Sequence, residues 1–406
     1  MLDYTPGQAD ENVSRRRFLH RVGGTAFGAS AVLTHGGPGF AAEAPPAENA
    51  TKQAPIPLVH ETDLFRPHGD PDDHFDLACV YALAQRGGLN LLGVLGDFPP
   101  PRRKGDPDVA AVAMLNRLTG LAAPLVVGTS LQPASPHDML RSAPAGELGG
   151  VNWLLEMLRQ SPRPVAISIV GSSKDVALAT RREPGLFAQK CRGIYLNAGT
   201  GEPNPSPHAQ LEFNVGLDPS AYAAIFAAPC PVYWLPCFER LDPGGGGPLV
   251  VMRHGTFYQF TMGKVFSQLT PPMQRFFLSM LDEEPATDWL RSLRMPVDAK
   301  KLAAWSAQGR NMWSTAGFLH CVGLTVTAEG ALAPLDRQTS DAVYRFAPVQ
   351  VTCDAQGRTR WRYGSARVPR WKFEVLDTRR YAAAMTGALV ELLKPLGRDD
   401  ATTKHS

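Results

Sequence analysis

The sequence predicts an α/β fold: a mostly parallel sheet with helices on both faces and one helical insertion. Three observations predict it. Short β-like runs alternate with helix-length segments from Leu58 to Pro236, the rhythm of strand–helix crossover units. Most of those runs are near-continuously apolar, as strands covered on both faces must be. A hydrophobic content of 44% with 19% charged residues, over 406 residues, supplies enough apolar material for one large core.

The elements follow in order. Leu58 to Thr62 is a first strand and Asp73 to Gln85 a first helix. Leu91 to Leu95, Pro124 to Val127, Val165 to Val170, Gly193 to Leu196 and Val232 to Pro236 continue the strands. Val109 to Leu118, Val151 to Arg159, Lys174 to Thr180 and Ser220 to Ala227 are the helices between them. The rhythm breaks at 241–310. A glycine-rich loop opens this stretch, and Phe257 to Leu281 and Trp289 to Trp305 read as aromatic-rich helices, an insertion that covers a site or makes a subunit contact, which leaves a homo-oligomer open. Val343 to Val375 alternates as β structure, Arg379 to Leu393 is a closing amphipathic helix, and 396–406 is a C-terminal tail.

Composition excludes several classes. A net charge of +3 leaves no electrostatic footprint for nucleic acid, and basic runs stay as short as Arg102-Arg103-Lys104. The six cysteines show no C-x-x-C spacing, which argues against a structural zinc site and favours buried free thiols. At the amino end, Ser14-Arg15-Arg16-Arg17-Phe18-Leu19 followed by a soft, glycine-interrupted apolar run reads as a twin-arginine export signal over 1–44. The run is too short to span a bilayer stably. Residues 45–57 then form a Pro/Ala linker, 58–395 the α/β domain, and the expected location is periplasmic or secreted.

The chemistry concentrates after the first strand. Asp63, Asp70, Asp72 and Asp73 fall within eleven residues, with Asp76 one helical turn further. They lie at the carboxyl end of a strand, where open α/β sheets bind ligands. Helix capping accounts for one or two of them, Asp70 or Asp72, whereas a hard divalent cation accounts for the crowding.

On these residues the chain resembles the nucleoside hydrolase family. Asp63 followed by the pair Asp72-Asp73 matches its signature, with a lengthened turn between. Gly93 to Asp97, Ala123 to Gly128, Val165 to Ala179 and Ile194 to Gly199 are similar to successive family strands and turns. Asn204, the triplet Glu212-Phe213-Asn214 and Asp218-Pro219 keep a further part of the pattern. The resemblance implies Ca²⁺ held by Asp63, Asp73, the Val170 carbonyl and Ser314, with Asp63 the catalytic general base on a water. It also implies a nucleoside or related riboside as ligand, gripped by Asp72, Asp97, Asn197, Asn204, Glu212 and Asn214. If the triplet is extended, Glu212 and Asn214 point the same way and Phe213 faces the core.

The match breaks at Asn311 to Gly317. Ser314 stands where the family carries its last calcium-ligating Asp, and Trp313 where it often carries a leaving-group acid. Serine offers an oxygen without charge; a tryptophan ring can stack on a flat base or simply fill the core. His68 and His74 are leaving-group candidates by proximity alone. Two functions are therefore carried forward: an exported calcium-dependent N-riboside hydrolase, and a riboside- or sugar-binding protein on the same scaffold. A two-metal phosphoesterase is disfavoured, because no His/Asp set for a second ion is evident.

Overall fold

The computed structural model describes residues 54–66, 71–98, 106–135, 137–241, 249–281, 288–335 and 341–397. The export signal, most of the linker, His68, Asp70, the glycine-rich loop at 242–248 and the tail from 398 lie outside the described residues. From Pro55 onward the chain makes one compact unit.

Among the described residues the main sheet has nine strands. These are β1 (Ile56–Thr62), β2 (Leu89–Gly96), β3 (Leu125–Val127), β4 (Val165–Ile169), β5 (Cys191–Asn197), β6 (Val232–Leu235), β7 (Tyr344–Cys353), β8 (Thr359–Tyr363) and β9 (Arg370–Val375). Their spatial order is β8-β7-β9-β6-β5-β4-β1-β2-β3. All pairings from β3 across to β9 are parallel, and β7 pairs antiparallel with both β9 and β8. The strand order reverses between β1 and β4. Such a switch point opens a crevice at the carboxyl ends of the two strands, and the site lies there.

The helices are α1 (Asp72–Gln85), α2 (Val109–Thr119), α3 (Gly149–Gln160), α4 (Lys174–Arg182), α5 (Pro184–Lys190), α6 (Phe213–Leu217), α7 (Pro219–Ile225), α8 (Met262–Phe266), α9 (Pro271–Leu281), α10 (Trp289–Ser292), α11 (Ala299–Ser306), α12 (Thr315–Cys321) and α13 (Tyr381–Leu393). Two apolar cores result. One gathers α1, α2, α9, α12 and α13 around Leu58 and Val94; the other gathers α3, α4, α5 and α7 around Val59 and Ile167. Neighbouring Leu58 and Val59 thus serve opposite faces, and every residue of β1 is buried. None of the described helices is long and apolar enough to cross a membrane.

The insertion differs from the sequence expectation. Phe257 to Leu281 is not one helix: Tyr258–Thr261 is a strand pairing antiparallel with Gly309–Met312, followed by α8 and α9. Tyr258 and Phe260 are buried while Gln259 and Thr261 are exposed, a period of two hidden by the aromatic density. Pro271 then opens a new helix, where its missing N–H costs nothing. Trp289 to Trp305 is likewise split into α10 and α11, with Pro296 between them and the Asp288 and Asp298 carboxylates capping each start. The β tail and closing helix lie as expected, and the first strand starts at Ile56, inside the expected linker.

Candidate functional site

The carboxyl ends of β1, β2, β4 and β5 carry the site. Asp63 follows β1, Asp97 follows β2, the Val170-Gly171-Ser172 turn follows β4, and Asn197 ends β5. Helix α1 brings Asp72 and Asp73 in its first turn. Pro71, not an aspartate, stands at the N-cap without a side-chain bond, so the capping explanation fails for Asp72. Asp73 instead accepts from the Thr62 hydroxyl at 2.9 Å.

Gly171 shows how tightly the strand ends close. A Cβ there would meet the Asp63 Cβ, the Asp63 backbone nitrogen and Asp97 Oδ2, each at 2.8 Å. Only glycine lets β4 turn against both acids. Asp97 is then fixed by the Ser172 N–H, which donates to its Oδ2 at 2.6 Å.

These acids are buried together. Asp63, Asp73, Asp76, Asp97 and Glu61 all fall below a tenth exposed. Burial pushes the Asp73 carboxyl well above the usual range, and the charges of Asp63 and Asp72, direct contact with Asp63 and the charge of Asp76 all add to it. Asp76 is pushed up to about 7 by burial, with the Ser314 hydroxyl opposing and the Asp63 charge adding. Glu61, two residues before Asp63, is raised by burial and by Asp97, Asp175 and Asp63. On that flank Lys174 is fully buried; its ammonium donates to the Phe98 carbonyl at 2.9 Å and acts on Asp175, Asp97 and Glu61.

Glu212 reaches the site from the other side. It does not lie on an extended segment: it is the N-cap of α6, accepting from the N–H groups of Gly199 (2.8 Å), Asn214 (3.0 Å) and Val215 (3.3 Å). The helical start turns Phe213 outward, 47% exposed, where the sequence reading had it facing the core. Three backbone donors explain why a carboxylate is tolerated there. Asn214 donates through Nδ2 to the carbonyls of Val170 (2.9 Å) and Asn197 (3.3 Å). The Asn197 amide donates to the Leu235 carbonyl, and its Oδ1 accepts from the Ser314 hydroxyl at 2.7 Å. The Cys237 thiol is raised by burial and by the charges of Glu212, Asp72 and Asp76.

Trp313 is half-buried beside Phe238 and Phe257, ring centroids 5.8 Å and 5.9 Å away, and its buried indole N–H has no hydrogen-bond partner. Asn204 stays apart: it is exposed on its loop and accepts from Arg360. His74 lies on α1, inside the first helix that the sequence predicts. It is fully buried, bonded to Asp108 Oδ2 at 3.1 Å and packed near Phe276. The sequence reading passed over Glu61, Asp175 and Lys174 as site neighbours, although Glu61 shares a strand face with Asp63 by its spacing of two.

Among the described residues no three His, Cys, Asp or Glu side chains converge at metal-ligand spacing. The donor chemistry nevertheless fits a hard divalent cation: Asp63 and Asp73 in contact, a buried Asp76 Oδ1 without a hydrogen-bond partner, and the Val170 carbonyl at the β4 turn.

Comparison with known proteins finds partial likenesses. No family model matches the chain. A 76-residue stretch, 19% of this chain, is 36% identical to the pyrimidine-specific ribonucleoside hydrolase RihA of Salmonella newport, so the match spans about a quarter of that relative's length (24%). Among solved structures, the inosine-uridine preferring nucleoside hydrolase of Bacillus anthracis aligns over 84% of this chain and 100% of its own, at 15% identity and a TM-score of 0.44. The purine-preferring ribonucleoside hydrolase of Gardnerella vaginalis aligns over 83% of this chain and 99% of its own, at 12% identity and a TM-score of 0.44.

Proposed function

We propose that the protein is an exported, calcium-dependent hydrolase of N-glycosidic bonds in nucleosides or related ribosides. The observation that carries this is the approach of two groups to the β4 turn: Asp63 and Asp97 close against Gly171, and Asn214 at the start of α6 donates to the Val170 carbonyl. Bound Ca²⁺, held by Asp63, Asp73 and the Val170 carbonyl with Ser314 beside them, would supply the positive charge that makes water a better nucleophile.

The chain's own residues do the rest. Asp63, at the end of a fully buried strand, accepts the proton of the attacking water as general base. Its position is set by the close approach of Gly171. Asp72 and Asn214, both only half-buried, face the crevice mouth and hold sugar hydroxyls. Glu212 serves the same end, kept in one rotamer by its three backbone donors. Asp97 and Asn197 are tied to Ser172 and Ser314 and orient this frame. Trp313, with Phe238 and Phe257, offers an aromatic wall for the flat base, with a free indole N–H to donate. Export by the twin-arginine route puts the activity in the periplasm or outside the cell.

Purified mature protein with excess Ca²⁺ tests the proposal against a panel of purine and pyrimidine nucleosides, read as free ribose. Ribose release from at least one nucleoside, lost on chelation, is the expected result. Thermal stabilisation by nucleosides without any turnover would instead favour the second reading, a riboside-binding protein, for which the neutral Ser314 is the motivating feature.

A further inference from the structure

All six cysteines carry free thiols, and the strand register brings two of them side by side. Cys191 opens β5, and Cys230 lies two residues before β6. Between these parallel strands Ile194 pairs with Val232, and the Ile194 N–H donates to the Pro231 carbonyl at 2.9 Å. Against β4 the start of β5 is irregular: Val165 pairs with Cys191 but the next residue, Ala166, pairs with Gly193, so Arg192 is one residue extra. Counting back from the Ile194–Val232 pair with Arg192 bulged out sets Cys191 level with Cys230. In a regular strand the arginine would stand there; instead it is exposed. The facing of the side chains agrees. Cys191, Ile194 and Leu196 belong to one apolar core, and Cys230, Val232 and Trp234 belong to the same one.

Neighbouring strands run about 4.8 Å apart, and a disulfide spans Cα atoms roughly 4.4–6.8 Å apart, so two cysteines level on one face can be joined without moving either strand. We propose that Cys191 and Cys230 form an intramolecular disulfide by exchange with a disulfide donor such as oxidised glutathione, stapling the amino ends of β5 and β6. Cys191, 6% exposed against 1% for Cys230, meets the donor first. Its thiolate attacks one donor sulfur, which breaks the donor S–S bond and releases one donor thiol. The Cys230 thiolate then attacks Cys191 Sγ and releases the second. The two cysteines give up two protons and two electrons, and the donor leaves as two thiols. Cys230 suits the second step. Its thiol is held below its ordinary value by the hydrogen bond from Cys191 and by the Arg370 charge, against burial. Arg370 is fixed there by donating to the carbonyls of Phe226, Ala228 and Cys230 at 3.0, 2.6 and 2.9 Å. The bond lies at the opposite end of the sheet from the strand-end crevice, so it acts on stability and leaves the acids of the crevice in place.

The test incubates the full, reduced chain with oxidised glutathione just below its Tm, where buried strand ends open to exchange. Free thiols are then counted under denaturing conditions with a maleimide mass tag, and linked peptides are mapped without reduction. The expected result is loss of two of the six thiols, with the Cys191 and Cys230 peptides joined. Closing the chain between them should raise the Tm by about 5 °C, a gain reversed by a reductant. Cys191→Ala and Cys230→Ala should each keep their remaining thiols and show no such rise. The proposal is overturned if the wild type keeps all its thiols after this exposure, if either cysteine is found linked to a different one or only as a glutathione adduct, or if the Cys191–Cys230 link forms and leaves the Tm unchanged.

Discussion

Two regions of the sheet bury ionisable groups, and they do so by opposite means. At the antiparallel edge, Glu374 on β9 is fully buried. Burial alone would raise its carboxyl, but the Tyr363 hydroxyl, Arg345 and Lys372 together hold it below the usual range. Arg345 donates to it through two nitrogens, at 3.1 and 3.0 Å. Lys372 donates to the Phe373 carbonyl, meets His254 Nδ1 at 2.9 Å and lies 4.3 Å over the Trp361 ring. This edge is complete within the chain. At the carboxyl ends of β1 and α1, the charges acting on Asp73 are those of Asp63, Asp72 and Asp76, all of the same sign. Buried like charges do not stabilise a fold. The difference teaches that the edge cluster serves the fold, while the strand-end cluster is arranged for something that comes from outside.

Substitutions should separate the two regions accordingly. The largest effect is expected from Asp63→Asn, which removes the proposed proton acceptor: kcat should fall by on the order of a thousandfold, with thermal stability kept or raised. A fall in stability matching the fall in rate would place Asp63 with the edge cluster instead. Next is Gly171→Ala, whose new methyl collides with Asp63 and Asp97. It should cost about 1–3 kcal/mol in urea unfolding and lower kcat as well, since the acids it displaces belong to the site. The smallest effect belongs to the edge. Burial lowers the Lys372 amine to about 7 from its ordinary 10.5, so the folded state disfavours its charged form. That penalty is fully present below about pH 7 and is relieved as pH rises towards 10.5. Lys372→Met should therefore flatten the gain in stability over this window in pH-dependent thermal melts, with nucleoside turnover unchanged at neutral pH.

Much of this was legible in the sequence, for identifiable reasons. The parallel strands announced themselves because double-sided burial demands apolar runs, as in Val165–Ile169 and Val232–Leu235. Asp63, Asp72 and Asp73 announced themselves because like charges are rarely spaced so closely where a sheet opens. The insertion was misread because Tyr258 and Phe260 alternate with polar residues inside a stretch whose aromatic content suggested one long helix. Asn214 reaches the Val170 and Asn197 carbonyls and Glu212 caps α6, a helix start that linear spacing cannot distinguish from a strand. Asn204 kept a pattern in sequence that the fold does not bring to the crevice.

The central claim is that Asp63 and Asp73 are gathered to hold a divalent cation. Calorimetric titration of Ca²⁺ into metal-free mature protein, alongside the Asp63→Asn and Asp73→Asn variants, tests it most directly. One saturable site in the wild type, lost or weakened at least roughly tenfold in each variant, is the expected result. No binding in the wild type, or equal binding in all three proteins, would contradict it.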